Sequence, residues 1–249
     1  MQRLNKFIAS SGLCSRRKAD ELIANGKVNV NGKIITELGF QVGSKDKVTV
    51  NGQPIKPQKL EYYRFYKPAG YITTTDDEKG RKTIYDIIPS ELKHLKPVGR
   101  LDKDSTGLII MTNDGELINE MTHPSIKVPK IYVVKVNGKL SPDDGEKMYN
   151  GIEIETDTGE KKTAYAEIFP IELSSKESIV KVTLYQGLNR QIRKMFAALG
   201  FEVISLKRIQ HATITLEGIK KGQIKPMKPK QVKELQLFIN KTKKAAENA

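Results

Sequence analysis

The sequence predicts an α+β protein in which a small basic module precedes a larger domain built on a mixed, mostly antiparallel sheet. Two short amphipathic helix patterns and two Asn-Gly turns come first, then a connector with Pro54 and Pro57, then interspersed helical and strand-like segments. A chain of 249 residues has room for a domain with an appended module. We therefore expect a module over 1–55, a domain over 60–230, and a C-terminal helix with a basic tail over 231–249.

The bulk composition favours a polyanionic partner. The formal net charge is +14, with Lys and Arg spread along the whole chain, which suits nucleic acid better than a small acidic substrate. Cys14 is the only cysteine, and His94, His123 and His211 are scattered, so we expect no intrachain disulfide, no metal site and no cofactor. The N-terminus resembles no signal peptide and no apolar run approaches a membrane span, so we expect a cytoplasmic monomer that binds no membrane.

The N-terminal module has clear local signals. The stretch RLNKFIASS predicts a helix over residues 3–11 with Leu4, Phe7 and Ile8 on its apolar face, ended by Gly12. Ser15 is a candidate N-cap for a second helix, RRKADELIAN, which Gly26 terminates. Hairpins are predicted at the Asn-Gly pairs 31–32 and 51–52.

Basic side chains crowd this module, and they have two interpretations. Cations oppose the dipole at the first turn of a helix, so Arg16 and Arg17 there favour an external anion such as a phosphate. The alternative is a solvated charged face. Residues 2–50 closely resemble the small RNA-binding domain, of αL type, named after a primary assembly protein of the small ribosomal subunit. The resemblance favours phosphate contacts by Arg3, Lys6, Arg16, Arg17 and Lys18.

The stretch GRLDKDSTGLIIMTNDGEL, residues 99–117, places a carboxylate between two apolar runs. We expect PVGRL to be a strand that enters a tight turn and LIIMT to be the strand that leaves it. Asp102 would then lie at a strand end, held by rigid neighbours and facing a cleft. The alternative is that Asp102 and Asp104 are solvated turn residues, since aspartate is common in turns.

The other segments of the second domain alternate between strand and helix. YYRFYK is strand-like up to Lys67, TIYDIIP predicts a short helix ended by Pro89, and DGELINEMTH predicts a helix. KIYVVKV alternates like a strand, and Ser141 with Pro142 is typical of a helix start. In the tail, we expect QVKELQLFIN to be a helix that packs on the body and the last residues to be disordered.

A second candidate site is GLNRQIRKMFAALG, residues 187–200, where a strand turns into a helix. The spacing of Arg190, Arg193 and Lys194 predicts that the three cations project together near the helix start. Three cations at a helix N-terminus repel one another unless an anion lies against them. The candidate anions are RNA phosphate and a buried carboxylate.

Together these motifs resemble those of bacterial ribosomal RNA pseudouridine synthases of the RsuA, RluB and RluF family. The resemblance covers nearly the whole chain and is carried by YKPAGYITT, GRLDKDSTGLIIMTNDGEL, KIYVVKV and QGLNRQIRKMFAALGFEVISLKRIQ in the family's order. It implies that Asp102 is the catalytic residue, that Tyr132 lies against the target base, and that Arg193 pairs with Asp102. Arg100, Arg190 and Lys194 are the expected RNA contacts of this domain.

The predicted substrate depends on motifs that differ between the branches of this family. Gly187, Leu188 and Asn189 resemble the RluF branch, whereas NDGELINEMTHPS resembles the RluB branch. Both branches act on 23S rRNA, so the resemblance implies a uridine of 23S rRNA as the target. Three alternatives stay open: a 16S target as in the RsuA branch, a non-catalytic ribosome-assembly protein, and a phosphoryl-transfer enzyme with Asp102, Asp104 and Asp114 as metal ligands.

Overall fold

The computed structural model describes residues 1–75 and 77–247. The chain divides into two compact units. The first comprises Met1–Glu61 with Asn113–Gly115, and the second comprises Tyr62–Thr112 with Glu116–Ala249. Within the described residues, no helix is both long enough and apolar enough to cross a membrane.

The first unit begins with the predicted helix pair. Helix α1 (Leu4–Ser10) buries Leu4, Phe7 and Ile8, and helix α2 (Arg16–Ala24) begins where the Ser15 side chain accepts a hydrogen bond from the Lys18 N–H at 3.3 Å. Both helices and the Ser15 cap are confirmed. The strands of this unit are β1 (Gln2–Arg3), β2 (Val28–Val30), β3 (Lys33–Ile35), β4 (Gln41–Val42), β5 (Val48–Val50) and β6 (Gln53–Pro54).

The two Asn-Gly turns join antiparallel strands as predicted. Asn31 and Asn51 have φ angles of 53° and 50°, so with the following glycines they form turns of the type that matches strand twist. Strands β3, β2, β5 and β6 lie side by side in that order, and the inward valines of β2 and β5 pack against both helices. The module therefore has a hydrophobic core of its own.

The second unit is built on a mixed, mostly antiparallel sheet, which confirms the predicted fold class. Its path through the described residues runs β13-β14-β10-β15-β9-β7-β17, with β8 beside β9 and β16 beside β15. The strands are β7 (Tyr62–Lys67), β8 (Lys96–Pro97), β9 (Thr106–Thr112), β10 (Lys130–Asn137), β11 (Ile152–Glu155), β12 (Lys161–Ala164), β13 (Glu167–Leu173), β14 (Glu177–Leu184), β15 (Val203–His211), β16 (Ile214–Thr215) and β17 (Ile224–Pro226).

Helices cover both faces of this sheet. The helices are α3 (Gly115–Thr122), α4 (Pro142–Asn150), α5 (Gln191–Ala198) and α6 (Pro229–Glu247). Apolar side chains of α4 and α5, among them Met148 and Phe196, share a core with Ile109 and Val134 of the sheet. Side chains of α3 and α6 share a second core with Leu108 and Ile110. Alternate residues of β9 thus enter opposite cores, as the period of a strand buried on both faces requires.

The parallel pair β9–β15 has a close backbone contact at Gly107. Gly107 is the Cα partner of Arg208, and a Cβ atom at Gly107 would lie 2.2 Å from the Arg208 carbonyl oxygen. The φ angle of Gly107 is +120°, a value that side chains disfavour. Both observations require glycine at this position in the TGLIIMT strand.

Three local expectations are corrected. PVGRL is a strand only at Lys96–Pro97, because the chain turns at Gly99 with a φ of +73°. TIYDIIP forms a 3-10 turn at Ile84–Asp86, and a second one follows Pro89 at Ser90–Leu92. The C-terminal helix does not stop at Asn240 but continues to Glu247, where Lys243 pairs with Glu120 at 3.0 Å. Residues 248 and 249 of the expected disordered end lie outside the described residues.

Candidate active site

Asp102 lies in the turn that precedes strand β9, at the edge of the sheet. Its backbone is not part of a strand, and its side chain is half-buried between buried Leu101 and exposed Lys103. The Ser105 N–H donates to the Asp102 carbonyl oxygen at 3.1 Å, which closes the turn. The carboxylate therefore lies before the first residue of β9, and the expectation that Asp102 lies at the end of a strand formed by PVGRL is wrong, because that strand ends at Pro97.

Residues of the segment YKPAGYITT hold this turn from the side. The Thr73 hydroxyl donates to the Leu101 carbonyl oxygen at 2.9 Å and accepts from the Leu101 N–H at 3.2 Å. The Gly70 N–H donates to the Lys103 carbonyl oxygen at 2.7 Å. The backbone on both sides of Asp102 is thus fixed by a segment that lies some thirty residues earlier in the chain.

The fully buried ammonium of Lys67 completes this support. Its Nζ atom donates to the carbonyl oxygens of Asp102 at 2.9 Å and Ser105 at 2.7 Å, and to that of Pro68 at 3.1 Å. Burial lowers the pKa of Lys67 to about 8, against the opposing charges of Asp102 and Asp104. An ammonium that has lost its water is stable only when such acceptors replace it, so the turn and Lys67 stabilise each other.

The pairing expected between Arg193 and Asp102 is wrong for this structure. Arg193 pairs instead with Asp104, its Nη2 atom lying 3.1 Å from a carboxylate oxygen, and its Nη1 atom donates to the Val203 carbonyl oxygen at 3.0 Å. Within the part of the chain that the structure describes, Asp102 forms no ion pair.

Arg190 shares the same carboxylate. Its two terminal nitrogens lie 3.3 Å from the two oxygens of Asp104, a bidentate arrangement. Arg190 has a left-handed backbone with φ of 50°, which costs roughly 1–2 kcal/mol for a residue with a side chain. Partial burial raises the pKa of Asp104, but the hydrogen bond from Arg190 and the charge of Arg193 outweigh it and hold that pKa below its ordinary value.

Lys194 does not join the two arginines, contrary to the expectation that all three cations project together. Its Nζ atom lies 2.8 Å from the carboxylate of Asp157, at the tip of the β11–β12 hairpin, and the Asn189 amide donates to the same carboxylate. Arg190 precedes α5 rather than forming part of it, which explains the divergence. Asp104 therefore binds the two arginines, and Asp157 binds Lys194.

The register of the sheet brings four residues into one row across it. Lys67 is the Cα partner of Gly107, Gly107 that of Arg208, and Arg208 that of Tyr132. Directly paired residues point to the same face, and neighbouring strands are about 4.8 Å apart, so Tyr132 lies about 14 Å from Lys67 along this row. The Tyr132 side chain is 7% exposed and packs in the core on that face.

A cluster of basic side chains lies next to Tyr132 on this face. Arg208 is fully buried and donates from Nε to the Leu108 carbonyl oxygen at 2.7 Å. Burial lowers the pKa of Lys130 to about 8, and the charge of Arg208 adds to the effect. Burial also lowers the pKa of His211 well below its ordinary value, so this ring is neutral. The surroundings of Tyr132 are therefore strongly electropositive.

The remaining predicted RNA contacts lie at the surface. Arg100 is exposed two residues before Asp102, and Arg3, Arg16 and Arg17 are exposed in the module. No acidic residue lies in the first turn of α2, so Arg16 and Arg17 have no counter-ion there. Lys6 is half-buried, and Lys18 pairs with Glu21 at 2.6 Å.

Sequence reasoning missed the supporting residues Lys67, Thr73, Asp157 and Arg208. Lys67 and Thr73 belong to the motif YKPAGYITT, and a lysine next to proline at the end of an apolar strand was a usable signal. Asp157 and Arg208 gave none, because their contacts depend on which distant strands lie side by side.

This arrangement defines a class of enzyme, and the comparisons agree. Residues 61–198 match the family model described as RNA pseudouridylate synthase, and residues 2–48 match the S4 domain. The chain belongs to the RNA pseudouridylate synthase family, which confirms the resemblance in its motifs. It is therefore an isomerase that carries an N-terminal S4 domain.

The chain is similar to particular members of this family of synthases. The chain is 41% identical over 98% of its length to the complete ribosomal large subunit pseudouridine synthase B of Bacillus subtilis. It is 40% identical over 89% of its length to the dual-specificity RNA pseudouridine synthase RluF of Escherichia coli K12, of which it covers 73%. A crystal structure of a pseudouridylate synthase matches 94% of this chain and 100% of its own, with a TM-score of 0.67 at 27% identity.

Replacing Lys67 tests the support of the Asp102 turn. In Lys67→Met, the carbonyl oxygens of Asp102 and Ser105 lose their donor, at a cost of about 1–3 kcal/mol for buried groups left unpaired. A shift of the turn by about 1 Å would lower the rate of pseudouridine formation roughly 100-fold. Urea unfolding and single-turnover assays measure the two effects. Lys225→Met is the matched control, because Lys225 donates to the Gly218 carbonyl oxygen, which is far from the Asp102 turn in the chain. Equal losses of stability and rate in both variants would contradict the role of Lys67 in supporting the turn.

Proposed function

We propose that this enzyme converts one specific uridine of 23S ribosomal RNA to pseudouridine, with Asp102 as the catalytic carboxylate. The observation that carries the proposal is the fixed turn at Asp102, whose backbone is held by Thr73 and Lys67 beside two arginines. The large-subunit name of the Bacillus subtilis relative supports the choice of RNA, since the two chains align over their full lengths. The S4 domain and the net charge of +14 support a structured RNA substrate.

The reaction requires an ionised carboxylate at the ribose. The N1–C1′ bond of uridine breaks, the uracil rotates and the C5–C1′ bond forms. C5 then loses its proton and N1 carries one, so that the product is an isomer of uridine. A carboxylate acts on the sugar either as a nucleophile at C1′ or as a base at C2′, and it must be charged in both roles. Arg193 of α5 binds Asp104 on the same turn as Asp102. It is the cation that would favour the charged form of Asp102 once it leaves Asp104.

Tyr132 is the residue that we assign to the flipped base. The atoms that react are inaccessible in a stacked helix, so the nucleotide must leave the stack, and an aromatic ring gives it a new stacking surface. Because Tyr132 is 7% exposed, the base reaches the ring only when the groups around it move apart. The nearby charges of Arg208 and Lys130 suit a polyanionic strand that enters at this point.

RNA contacts by the module and by the second unit complete the proposal. Arg3, Lys6, Arg16, Arg17 and Lys18 bind phosphates of the folded RNA, and Arg100, Arg190 and Lys194 bind the strand around the target. Glu21 and Asp157 compete for Lys18 and Lys194, so these two lysines contribute less than Arg16 and Arg17, which form no ion pair among the described residues.

The catalytic assignment predicts the behaviour of Asp102→Asn. We expect tritium release from RNA labelled at uridine C5 to fall by roughly 10²–10⁴-fold, the usual contribution of a positioned acid–base group. The circular dichroism spectrum and the affinity for RNA should be those of the wild type. Asp114→Asn is the control, and its activity in excess EDTA should match that of the wild type. Turnover by Asp102→Asn close to the wild-type rate would refute the role, and loss of wild-type activity in EDTA would favour metal-assisted chemistry.

The target predicts a change in cells that lack the gene. Reverse transcription of carbodiimide-treated rRNA stops at pseudouridines, and we expect one stop in 23S rRNA to disappear. A plasmid that expresses the wild type should restore this stop, whereas one that expresses Asp102→Asn should not. Disappearance of a 16S stop instead would place the enzyme with the RsuA branch.

The phosphate contacts of the module predict a change in salt dependence. Each contact contributes about 0.7–0.9 to the slope of log affinity against log salt concentration, so Arg16→Gln with Arg17→Gln should flatten the slope by roughly 1.4–1.8. Lys230→Gln with Lys233→Gln removes the same charge from the surface of α6 and serves as the control. If both double variants change the slope equally, the charges of the module act only through the net charge.

A further inference from the structure

Asp104 is the counter-ion of both Arg190, which the sequence assigned to RNA, and Arg193, which it assigned to Asp102. Its carboxylate lies 3.3 Å from Arg190 and 3.1 Å from Arg193. The two ion pairs differ in environment, since Arg190 is 45% exposed and Arg193 is 16% exposed. One acidic side chain therefore joins the Asp102 turn to helix α5.

This arrangement gives Arg193 two possible carboxylate partners. Asp102 and Asp104 belong to one turn, and the charges of both act on the buried ammonium of Lys67. Arg193 is anchored by its bond to the Val203 carbonyl oxygen, so its other nitrogens stay near this turn whichever carboxylate they bind. A change of partner then requires only a side-chain movement.

An RNA phosphate is the anion that can displace Asp104. The Arg190–Asp104 pair is exposed on both sides, and an exposed ion pair contributes only about 0–1 kcal/mol. A phosphodiester offers arginine a bidentate set of oxygens of equal geometry and arrives with many other contacts. Because Arg190 lies at the N-terminal end of α5, the helix dipole further favours an anion there.

We propose that Asp104 is a positioning residue that holds Arg190 and Arg193 at the Asp102 turn in the RNA-free enzyme, and that an RNA phosphodiester displaces it and releases Arg193 to Asp102. This proposal rests on the proposed function. Asp104 thereby keeps the two guanidinium groups in place without an RNA, at the expense of some affinity. Removal of the Asp104 charge should tighten RNA binding if Asp104 has this role, whereas loss of a merely structural residue would weaken it.

The test is the affinity of Asp104→Asn for a 23S rRNA transcript, measured by filter binding. The exposed ion pair of Arg190 with Asp104 no longer competes with phosphate, so we expect the dissociation constant to fall roughly two- to tenfold. Asp143→Asn adds the same charge change on α4, where Asp143 pairs with Lys147 at 2.6 Å, and it should bind like the wild type. Asp104→Glu should restore wild-type affinity because it keeps the carboxylate.

Arg190 provides the second arm of the test. In the background of Arg190→Met, removal of the Asp104 charge should tighten binding by less than half as much on a logarithmic scale, because the exposed pair is already absent. Asp104→Ser repeats the measurement in case the asparagine variant folds poorly. The proposal would be overturned if Asp104→Asn and Asp104→Ser both bound the transcript more weakly than the wild type. It would also be overturned if they bound it no more tightly than Asp143→Asn does. The readout is affinity alone, so a wild type that binds the transcript but forms no pseudouridine would refute the proposed function and not this role.

Discussion

The buried ammonium of Lys67 is the interaction on which the rest of the site depends. A charged group without water is costly in a protein interior unless several acceptors surround it. Here the acceptors are the backbone carbonyl oxygens of Asp102 and Ser105, which belong to one turn, and that of Pro68. The turn cannot relax without exposing that charge to an apolar environment, and Lys67 cannot move without leaving these carbonyls unpaired. Mutual dependence of this kind gives the carboxylate a fixed position although its backbone belongs to no strand.

The position of the Asp102 turn depends on the register in which β9 pairs with β15. Only a residue without a side chain tolerates the contact between Gly107 and the Arg208 backbone, and this contact sets the register of the parallel pair. With that register fixed, the antiparallel pairings on either side carry it to Lys67 and to Tyr132. The site is thus aligned by backbone hydrogen bonds across four strands, which are stiffer than any set of side-chain contacts.

Local features of the fold could be predicted from the sequence because their causes are local. The Ser15 cap, the Asn-Gly turns and the start of α4 at Ser141 and Pro142 depend on neighbours within four residues. The resemblance of four motifs then placed Asp102, Tyr132 and Arg193 in one domain. What could not be predicted was which carboxylate Arg193 binds, since Asp102 and Asp104 lie two residues apart on one turn. Lys67 and Thr73 lie in a motif that the sequence singled out, but which backbone groups they bind could not be predicted, because these contacts join segments that no periodicity relates.

The distribution of acidic side chains explains how repulsion between the cations of this basic protein is offset near the site. Arginines that face one another without RNA would repel, and two carboxylates each bind two partners: Asp104 binds Arg190 and Arg193, and Asp157 binds Lys194 and Asn189. These acidic groups are exposed enough to yield to a phosphate, whereas Lys67 and Arg208 are buried and bind backbone carbonyls that no ligand replaces. Buried cations therefore fix the architecture, and exposed cations with exchangeable partners remain available to the RNA.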